Sequence, residues 1–264
     1  MGSAERRTYA LVTGASSGLG CELARQLAAQ RHDVLLVARR RDRLERLAQE
    51  IRRDHGVLAE MMACDLASAE GRRQLVDDID ALGAHVDPLV LCAGFGIGGS
   101  FVAQDAERLE AMIRTNVEAT IMLAHVFARR MAARRTGRIL IISSILGNQP
   151  MPNVAVYAAT KAAITSFAEA LNEELRTCGV TVCVVLPGSI ETEFADVAGL
   201  GRAQRRMPGA LVSTPNAVAA KSLQALERGA RTTIPGGPAV RALHWMGGHA
   251  PRALWLPAAR RLMA

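Results

Sequence analysis

Strand-like and helix-like segments alternate along this chain of 264 residues. Seven apolar runs rich in Val, Ile and Leu predict strands at residues 9–13, 34–38, 58–64, 88–92, 138–143, 180–186 and 231–235. Helical periodicity separates them, at residues 19–30, 42–54, 69–82, 105–133, 154–178 and 214–228. This order predicts an α/β Rossmann fold, in which helices cover both faces of a doubly wound parallel sheet of about seven strands.

No linker, repeat or low-complexity tract interrupts the alternation, so we predict a single domain over residues 1–264. Two segments lie outside the pattern. Residues 194–211, which carry Gly and Arg, are interpreted as a loop or lid on the substrate side. Residues 236–264 are interpreted as a C-terminal extension that contains both tryptophans, Trp245 and Trp255.

The formal net charge of +7 comes mainly from arginines in short clusters. Aromatic residues make up only 3% of the chain and do not interleave with these clusters, so we expect solvated helix faces and no nucleic-acid partner. A basic surface would still attract anionic substrates or an acidic carrier protein.

Features of targeting and redox chemistry point to the cytoplasm. The longest apolar runs have strand length, so we expect no transmembrane segment, and no signal peptide is recognised. Five cysteines, an odd number without a CxxC pair, indicate reduced thiols. We expect no metal site.

A glycine-rich turn follows the first predicted strand and opens the first predicted helix. It reads Thr13-Gly14-Ala15-Ser16-Ser17-Gly18-Leu19-Gly20. Glycines in such a turn let the backbone approach a pyrophosphate, and the helix directs its N-terminal amides and positive dipole end at the same group. The turn therefore predicts a dinucleotide site formed by Gly14, Ser16, Ser17, Gly18, Leu19 and Gly20.

Tyr157 and Lys161 stand four residues apart in a predicted helix, in a chain with only two tyrosines and two lysines. The i,i+4 spacing places the phenol and the ammonium on one helix face. Because the chain otherwise uses arginine as its cation, a lysine here indicates a need for a compact ammonium with an adjustable pKa. Alone, the pair is equally compatible with a surface lysine beside a half-buried tyrosine.

Together, the TGxxxGxG turn and the Tyr-x-x-x-Lys pair resemble the short-chain dehydrogenase/reductase family, in its NADP-preferring type, over roughly residues 6–235. The resemblance implies an oxidoreductase with Asn116, Ser144, Tyr157 and Lys161 as catalytic residues; Ser144 lies thirteen residues before Tyr157, as the family's serine does. It also implies cofactor contacts near the adenine, beside the fourth strand and at the nicotinamide amide, from Asp65, Leu66, Ala93, Gly94, Tyr157, Lys161, Pro187, Gly188, Ile190 and Thr192.

The chemistry expected of such a site is hydride transfer to or from a carbonyl carbon. Tyr157 would be the general acid in reduction and the general base in oxidation, and Lys161 would lower the pKa of Tyr157 and bind the nicotinamide ribose. Ser144 would polarise the carbonyl. By resemblance, Asn116 would hold a water for proton relay; Ser143 is the weaker candidate for the catalytic serine.

The end of the second strand favours NADP(H) over NAD, because Ala38-Arg39-Arg40 carries no acid that could bind a ribose 2′-hydroxyl. Arg39 is the best candidate for binding the 2′-phosphate, and Arg40 could assist. One position departs from the family: Cys92 replaces the usual Asn of Asn-Ala-Gly after strand four. This puts local rigidity in question; Cys92 itself is interpreted as a small buried residue.

Segments after strands four, five and six should line an apolar substrate pocket, with Leu146, Met151, Pro152, Val154 and Phe194 in its walls. A free ketone or secondary alcohol, a carrier-bound 3-ketoacyl thioester, and a catalytically silent NADP-binding sensor or scaffold all remain open. The tail is either a packed or oligomer-facing extension or a peripheral membrane contact. By resemblance, the two long helices would form a homodimer or homotetramer.

Overall fold

A seven-stranded parallel sheet forms the centre of the protein, whose computed structural model describes residues 7–262. Its strand order is β3-β2-β1-β4-β5-β6-β9. The strands are β1 (Thr8–Thr13), β2 (Asp33–Ala38), β3 (Ala59–Ala63), β4 (His85–Leu91), β5 (Gly137–Ile142), β6 (Val180–Val185) and β9 (Thr232–Thr233). The predicted fold class is confirmed, with β4 starting at residue 85 where the apolar run predicted 88.

Helices fill the connections between the strands. They are α1 (Gly18–Ala29), α2 (Arg41–His55), α3 (Ala69–Ala81), α4 (Ala106–Ile113), α5 (Ala119–Arg134), α6 (Ala155–Arg176), α7 (Phe194–Val197), α8 (Gly201–Arg205), α9 (Pro215–Glu227), α10 (Pro238–His249) and α11 (Arg252–Leu262). Two further short strands, β7 (Ser189–Ile190) and β8 (Val212–Ser213), pair in parallel away from the main sheet. The sequence pattern did not predict this pair.

Each face of the sheet buries its own apolar core, which explains why the strands are apolar on both sides. One core packs α1, α2 and α9 against the sheet through side chains such as Leu23, Leu44 and Leu223. The other packs α3, α5 and α6 through side chains such as Phe127 and Ile164. The sheet is therefore held between two helical layers.

Local signals in the sequence set the helix ends. The hydroxyl of Thr214 caps α9 by accepting a hydrogen bond from the amide of Ala217, and Pro215 supplies the first turn. Helix α2 ends at Gly56, whose φ of 65° lies in the left-handed region that glycine adopts at low cost.

The long helix predicted at residues 105–133 is interrupted. A π-helical turn at Arg114–Glu118 separates α4 from α5 and contains Asn116. Such turns insert an extra residue into a helix and are frequent at functional sites. Hydrophobic periodicity continues through it, which is why the sequence predicted one helix.

The segments outside the alternation are also ordered into elements. Residues 194–211 contain α7, α8 and a 3-10 turn at Gly209–Leu211, and the tail forms α10 and α11. Residues 1–6 and 263–264 of the predicted domain and extension lie outside the described residues. Within residues 7–262, no helix combines the length and the apolarity that crossing a membrane requires.

Candidate active site

A cleft of about 670 Å³ runs across the carboxyl ends of the strands, where the strand order reverses between β1 and β4. Ligands of open α/β sheets bind at this position. All predicted site residues except Asn116 line the cleft: Gly14, Ser16, Ser17, Gly18, Leu19, Gly20, Arg39, Asp65, Leu66, Ala93, Gly94, Ser144, Tyr157, Lys161, Pro187, Gly188, Ile190 and Thr192.

The glycine-rich turn packs so closely that side chains would not fit. Gly14 has a φ of 71°, and a Cβ atom on it would lie 2.9 Å from the Cα of Ala93. A Cβ atom on Gly20 would lie 2.3 Å from the carbonyl oxygen of Gly14. Helix α1 therefore packs closely against the end of β1. Ser17 and Gly18, at the start of α1, line the cleft, and the Ser17 side chain does not cap the first amides of the helix.

Three arginines lie near the end of the cleft beside β2, which Arg39 and Arg40 line, and they differ in their partners. Arg40 donates from Nη2 to Oε1 of Glu193 at 2.7 Å and from Nε to Ser16 Oγ at 3.2 Å, and Arg43 donates to Oε2 of Glu193 at 2.9 Å. These hydrogen bonds lower the pKa of the Glu193 carboxyl to about 2. Arg39 is exposed and has no hydrogen bond or ion pair to any residue in 7–262.

Glu193 was not identified from the sequence, because its arginine partners lie about 150 residues earlier in the chain. The preceding residue, Thr192, packs directly over the turn: a Cβ atom on Gly18 would lie 3.2 Å from the Thr192 methyl carbon. The segment after β7 therefore crosses the cleft and is held to the start of α2 by charge.

Thr13 was also not identified as a functional side chain. Its hydroxyl accepts hydrogen bonds from the amides of Cys92 at 3.0 Å and Ala93 at 3.1 Å, and donates to the carbonyl of Val90 at 3.2 Å. Thr13 thereby joins the end of β1 to the end of β4. The bond from Cys92 starts at the position where the family usually has asparagine. Burial raises the pKa of the Cys92 thiol to about 12, so this thiol is neutral and poorly suited to act as a nucleophile.

Tyr157, Ser144 and Lys161 meet at the middle of the cleft. The Ser144 hydroxyl lies near the phenol and favours its ionised form, and the Ser144 oxygen accepts a hydrogen bond from the amide of Leu146 at 3.2 Å. The Lys161 Nζ atom donates to the carbonyl of Ile142 at 2.8 Å and lies 5.8 Å from the centre of the Tyr157 ring. All three side chains of the triplet are buried.

Burial dominates the ionisation of these groups. It raises the pKa of Tyr157 to about 12, against the opposite effect of the nearby Ser144 hydroxyl, and lowers the pKa of Lys161 to about 8. The expected lowering of the Tyr157 pKa by Lys161 is not found. The ammonium is directed at the Ile142 carbonyl, and desolvation of the phenolate outweighs its influence.

Asn116 lies behind the cleft wall and is fully engaged. Its Nδ2 donates to the carbonyl of Phe95 at 2.9 Å and to Thr160 Oγ1 at 3.1 Å, and its Oδ1 accepts from the amide of Phe95 at 3.0 Å. Asn116 thus fixes the strand-four loop beside Lys161. Ser143, the weaker serine candidate, donates to the carbonyl of Lys161 at 2.9 Å, so its hydroxyl is bound to α6.

The substrate half of the cleft is mostly apolar. Leu146, Met151 and Phe194 line it as predicted, and the Phe194 ring lies 5.6 Å from that of Tyr157, centre to centre. Pro152 and Val154 do not line it. Val154 is completely buried in the cluster beneath the wall, because its side chain points into the packing of α6.

The tail completes this wall, which the sequence pattern did not predict. Val240 and Leu243 of α10 line the cleft, and Trp255 of α11 is buried with its Nε1 donating to the carbonyl of Pro150 at 3.0 Å. The opposite side of the tail exposes Trp245 and Leu254 at 61% and 71%. Among residues 7–262, no group of His, Cys, Asp and Glu could hold a metal ion.

Known proteins share this architecture along most of their length. A short-chain dehydrogenase from Sphingobium yanoikuyae, solved in complex with NADPH, is 34% identical with a TM-score of 0.81, and the match covers 90% of each chain. The bulky-bulky ketone specific alcohol dehydrogenase from Comamonas testosteroni is 28% identical with a TM-score of 0.78, covering 91% of this chain and 90% of that one. A very-long-chain 3-oxoacyl-CoA reductase from Pyricularia oryzae is 33% identical over 227 residues, 83% of this chain and 65% of that protein.

The family model for short chain dehydrogenase matches residues 8–201, which span β1 through the start of α8 and include the glycine-rich turn and the Ser144–Tyr157–Lys161 triplet. This match covers well over half of the chain. Sequence, fold and cleft geometry therefore agree that the chain belongs to the short-chain dehydrogenase/reductase family of oxidoreductases.

Proposed function

We propose that this protein is an NADP(H)-dependent oxidoreductase that interconverts a ketone and a secondary alcohol on a largely apolar substrate. The observation that carries the proposal is the Tyr157 phenol, which lies beside Ser144 in a cleft lined at one end by a phosphate-binding turn and at the other by apolar side chains. A proton donor at the junction of these two regions is what carbonyl reduction needs, because the carbonyl oxygen gains negative charge there.

The cleft fits a dinucleotide phosphate cofactor. Its backbone cradle at Gly14 and Gly20 leaves no room for a Cβ atom, and Arg39 has no partner among residues 7–262 while Arg40 is bound to Glu193. We assign the 2′-phosphate to Arg39 for this reason, the pyrophosphate to the turn, and the nicotinamide amide to the segment from Pro187 to Thr192. When bound, the cofactor supplies or accepts the hydride.

Ser144 and Tyr157 account for the proton transfer to and from the carbonyl oxygen. Because the Leu146 amide donates to the Ser144 oxygen, the serine hydrogen is free to bind a carbonyl oxygen and orient it beside the phenol. Tyr157 then gives its proton to that oxygen in reduction and removes it in oxidation. Its raised pKa keeps the phenol protonated at neutral pH, which suits the reductive direction.

Lys161 holds this arrangement in place. One of its three N–H groups binds the carbonyl of Ile142, which leaves two for the ribose hydroxyls and for a proton path to Tyr157. A guanidinium would not fit the same space, because it is planar and wider than an ammonium. We therefore propose that Lys161 positions the cofactor and restores the phenol proton after each turnover.

A substrate panel tests the proposal directly. Purified protein is mixed with NADPH and a series of ketones of increasing apolar size, and the absorbance of NADPH is followed. We expect NADPH oxidation that Tyr157→Phe abolishes. Tyr9→Phe alters the other tyrosine of the chain, which lies in β1, and should leave the oxidation unchanged. Tight NADPH binding without oxidation by any ketone or ketoacyl thioester would instead indicate a silent sensor or scaffold.

Cofactor choice has its own test. Arg39→Ala should weaken NADPH binding while leaving NADH binding unchanged, because only NADPH carries the 2′-phosphate. Arg41→Ala is the matched control: Arg41 pairs with Glu45 and does not line the cleft. Equal affinities of the unmodified protein for NADH and NADPH would overturn the assignment.

A carrier-bound 3-ketoacyl thioester is the second candidate substrate. It is favoured by the similarity to the Pyricularia oryzae 3-oxoacyl-CoA reductase and by the open, arginine-bearing end of the pocket.

We further propose a homodimer or homotetramer formed through α5 and α6. Met122 of α5 is 46% exposed. Light scattering of the purified protein measures the assembly.

A further inference from the structure

Charge is distributed unevenly along the cleft. Of the residues that the structure describes, only two acidic ones line it, Asp65 and Glu193, and both lie at the cofactor end. Glu193 is already bound to Arg40 and Arg43. Among residues 7–262, no carboxylate lines the substrate half beyond Tyr157, so within this part of the chain a cation in that half has no acidic counterpart in the wall.

Two arginines nevertheless line the substrate half, from separate elements. Arg206 directly follows α8, and its neighbours Met207 and Pro208 also line the cleft. Arg261 lies in the last turn of α11. Neither side chain has a hydrogen bond or ion pair to any residue in 7–262, whereas the nearby Arg205 pairs with Asp196.

The positions of both arginines are set by the packing of their elements. Helix α11 is anchored by Trp255 and Ala259, which are buried in the same cluster as Tyr157. The segment carrying α8 is anchored by Gln204, whose Nε2 donates to Ser189 Oγ and to the carbonyl of Ile190, each at 2.8 Å. The arginines therefore reach one cavity from a fixed framework.

Apolar side chains line the same cleft as the two arginines and the reacting centre. They include Leu146, Met151, Leu211 and Leu243. Both guanidiniums are exposed, so water partly screens their charge, and each can still form charge-assisted hydrogen bonds with a carboxylate or phosphate while the apolar wall binds the rest of the ligand. An apolar wall with an unpaired cation at its end matches a ligand with an apolar part and a remote anion.

We propose that Arg206 and Arg261 form an anion subsite, so that the substrate carries a carboxylate or phosphate remote from its carbonyl group. This inference rests on the proposed reductase function and adds the substrate class. A carboxylate would belong to a free oxo acid, and a phosphate to the pantetheine arm of a thioester. In both cases the same two guanidiniums bind the anion.

Matched substrates separate the charge from the rest of the molecule. NADPH oxidation is measured with long-chain oxo acids and their methyl esters, and with 3-oxoacyl coenzyme A and the corresponding N-acetylcysteamine thioester, which has no phosphate. The variants are Arg206→Gln, Arg261→Gln and the double variant. Arg202→Gln and Arg260→Gln are the controls, since both are exposed arginines outside the cleft lining: Arg202 lies on α8, which Arg206 directly follows, and Arg260 precedes Arg261 on α11.

For the double variant we expect kcat/KM to fall about tenfold or more with the anionic member of a pair, mostly through KM, and to stay constant with the neutral member. The controls should match the unmodified protein. The pair that shows the effect identifies the source of the anion. Calorimetric binding of a fatty acid without the keto group should weaken in the same variant.

The inference is overturned if the unmodified protein reduces neutral ketones well without preferring anionic ones, or if the double variant loses both members equally. Absence of NADPH oxidation with every ketone tested would instead contradict the proposed function. The two failures are therefore distinguishable.

Discussion

Thr13 offers a sharp test of what holds the two halves of the cleft together. Thr13→Val keeps the shape of the side chain and removes the hydroxyl. Thr13 is 1% exposed, and its hydroxyl bridges β1 to the end of β4. The amides of Cys92 and Ala93 then lose their acceptor. A fully buried amide without a partner costs about 1–3 kcal/mol, and because these two amides are only partly buried, together they predict a loss of about 2–4 kcal/mol in unfolding free energy.

Thr13→Ser is the matched control, since it keeps the hydroxyl and removes one methyl group at a cost of about 1 kcal/mol. Urea denaturation of both variants gives the comparison, with equal m-values indicating that only stability has changed. Thr13→Val should also weaken NADPH binding more than Thr13→Ser, because Ala93 packs against Gly14 in the turn.

A Thr13→Val variant that is no less stable than Thr13→Ser would refute this role of the Thr13 hydroxyl. That result would mean that other groups, or water entering the cleft, satisfy the two amides. A loss confined to Thr13→Val would explain how this chain tolerates Cys92 where the family usually has asparagine.

Three further predictions concern charged side chains. Lys161→Arg should lower kcat/KM about 100-fold or more, whereas Lys221→Arg, at the other and exposed lysine, should leave it unchanged; retained activity would contradict the need for an ammonium. Burial lowers the pKa of Lys161 to about 8, against about 10.4 in an unfolded chain. Between these two pH values the unfolded state therefore binds the proton more tightly than the folded state does. At neutral pH, where the lysine is protonated, its charge destabilises the fold. Lys161→Met should therefore be more favourable at neutral pH than above about pH 10.4, by about 3 kcal/mol, and an equal effect in urea denaturation at both pH values would disprove this. Glu193→Gln should cost only about 0.5–1 kcal/mol because the pairs are partly exposed, yet speed hydrogen exchange of residues 194–211 more than Asp196→Asn does; no difference between the two variants would show that Glu193 does not hold the segment.

Much of this protein follows from local patterns in the sequence. Apolar runs of strand length, separated by amphipathic helices, require a sheet covered on both faces, and the seven-stranded parallel sheet has that form. The turn from Gly14 to Gly20 and the pair Tyr157 and Lys161 were found because their chemistry depends on spacing along the chain. Spacing of this kind is set by one turn or one helix and needs no knowledge of the rest of the fold.

What the sequence left open depends on residues that only folding brings together. The bond from Thr13 to the end of β4 and the pairing of Glu193 with Arg40 and Arg43 join segments 79 to 153 residues apart, so no local pattern contains them. The pKa of Tyr157 was expected to fall and instead rises, because desolvation depends on everything packed around the phenol. The position of Arg261 beside the substrate half likewise required the tail to pack against α6. Sequence spacing determined which groups could do the chemistry, and tertiary packing decided their partners, their charge and the shape of the pocket they face.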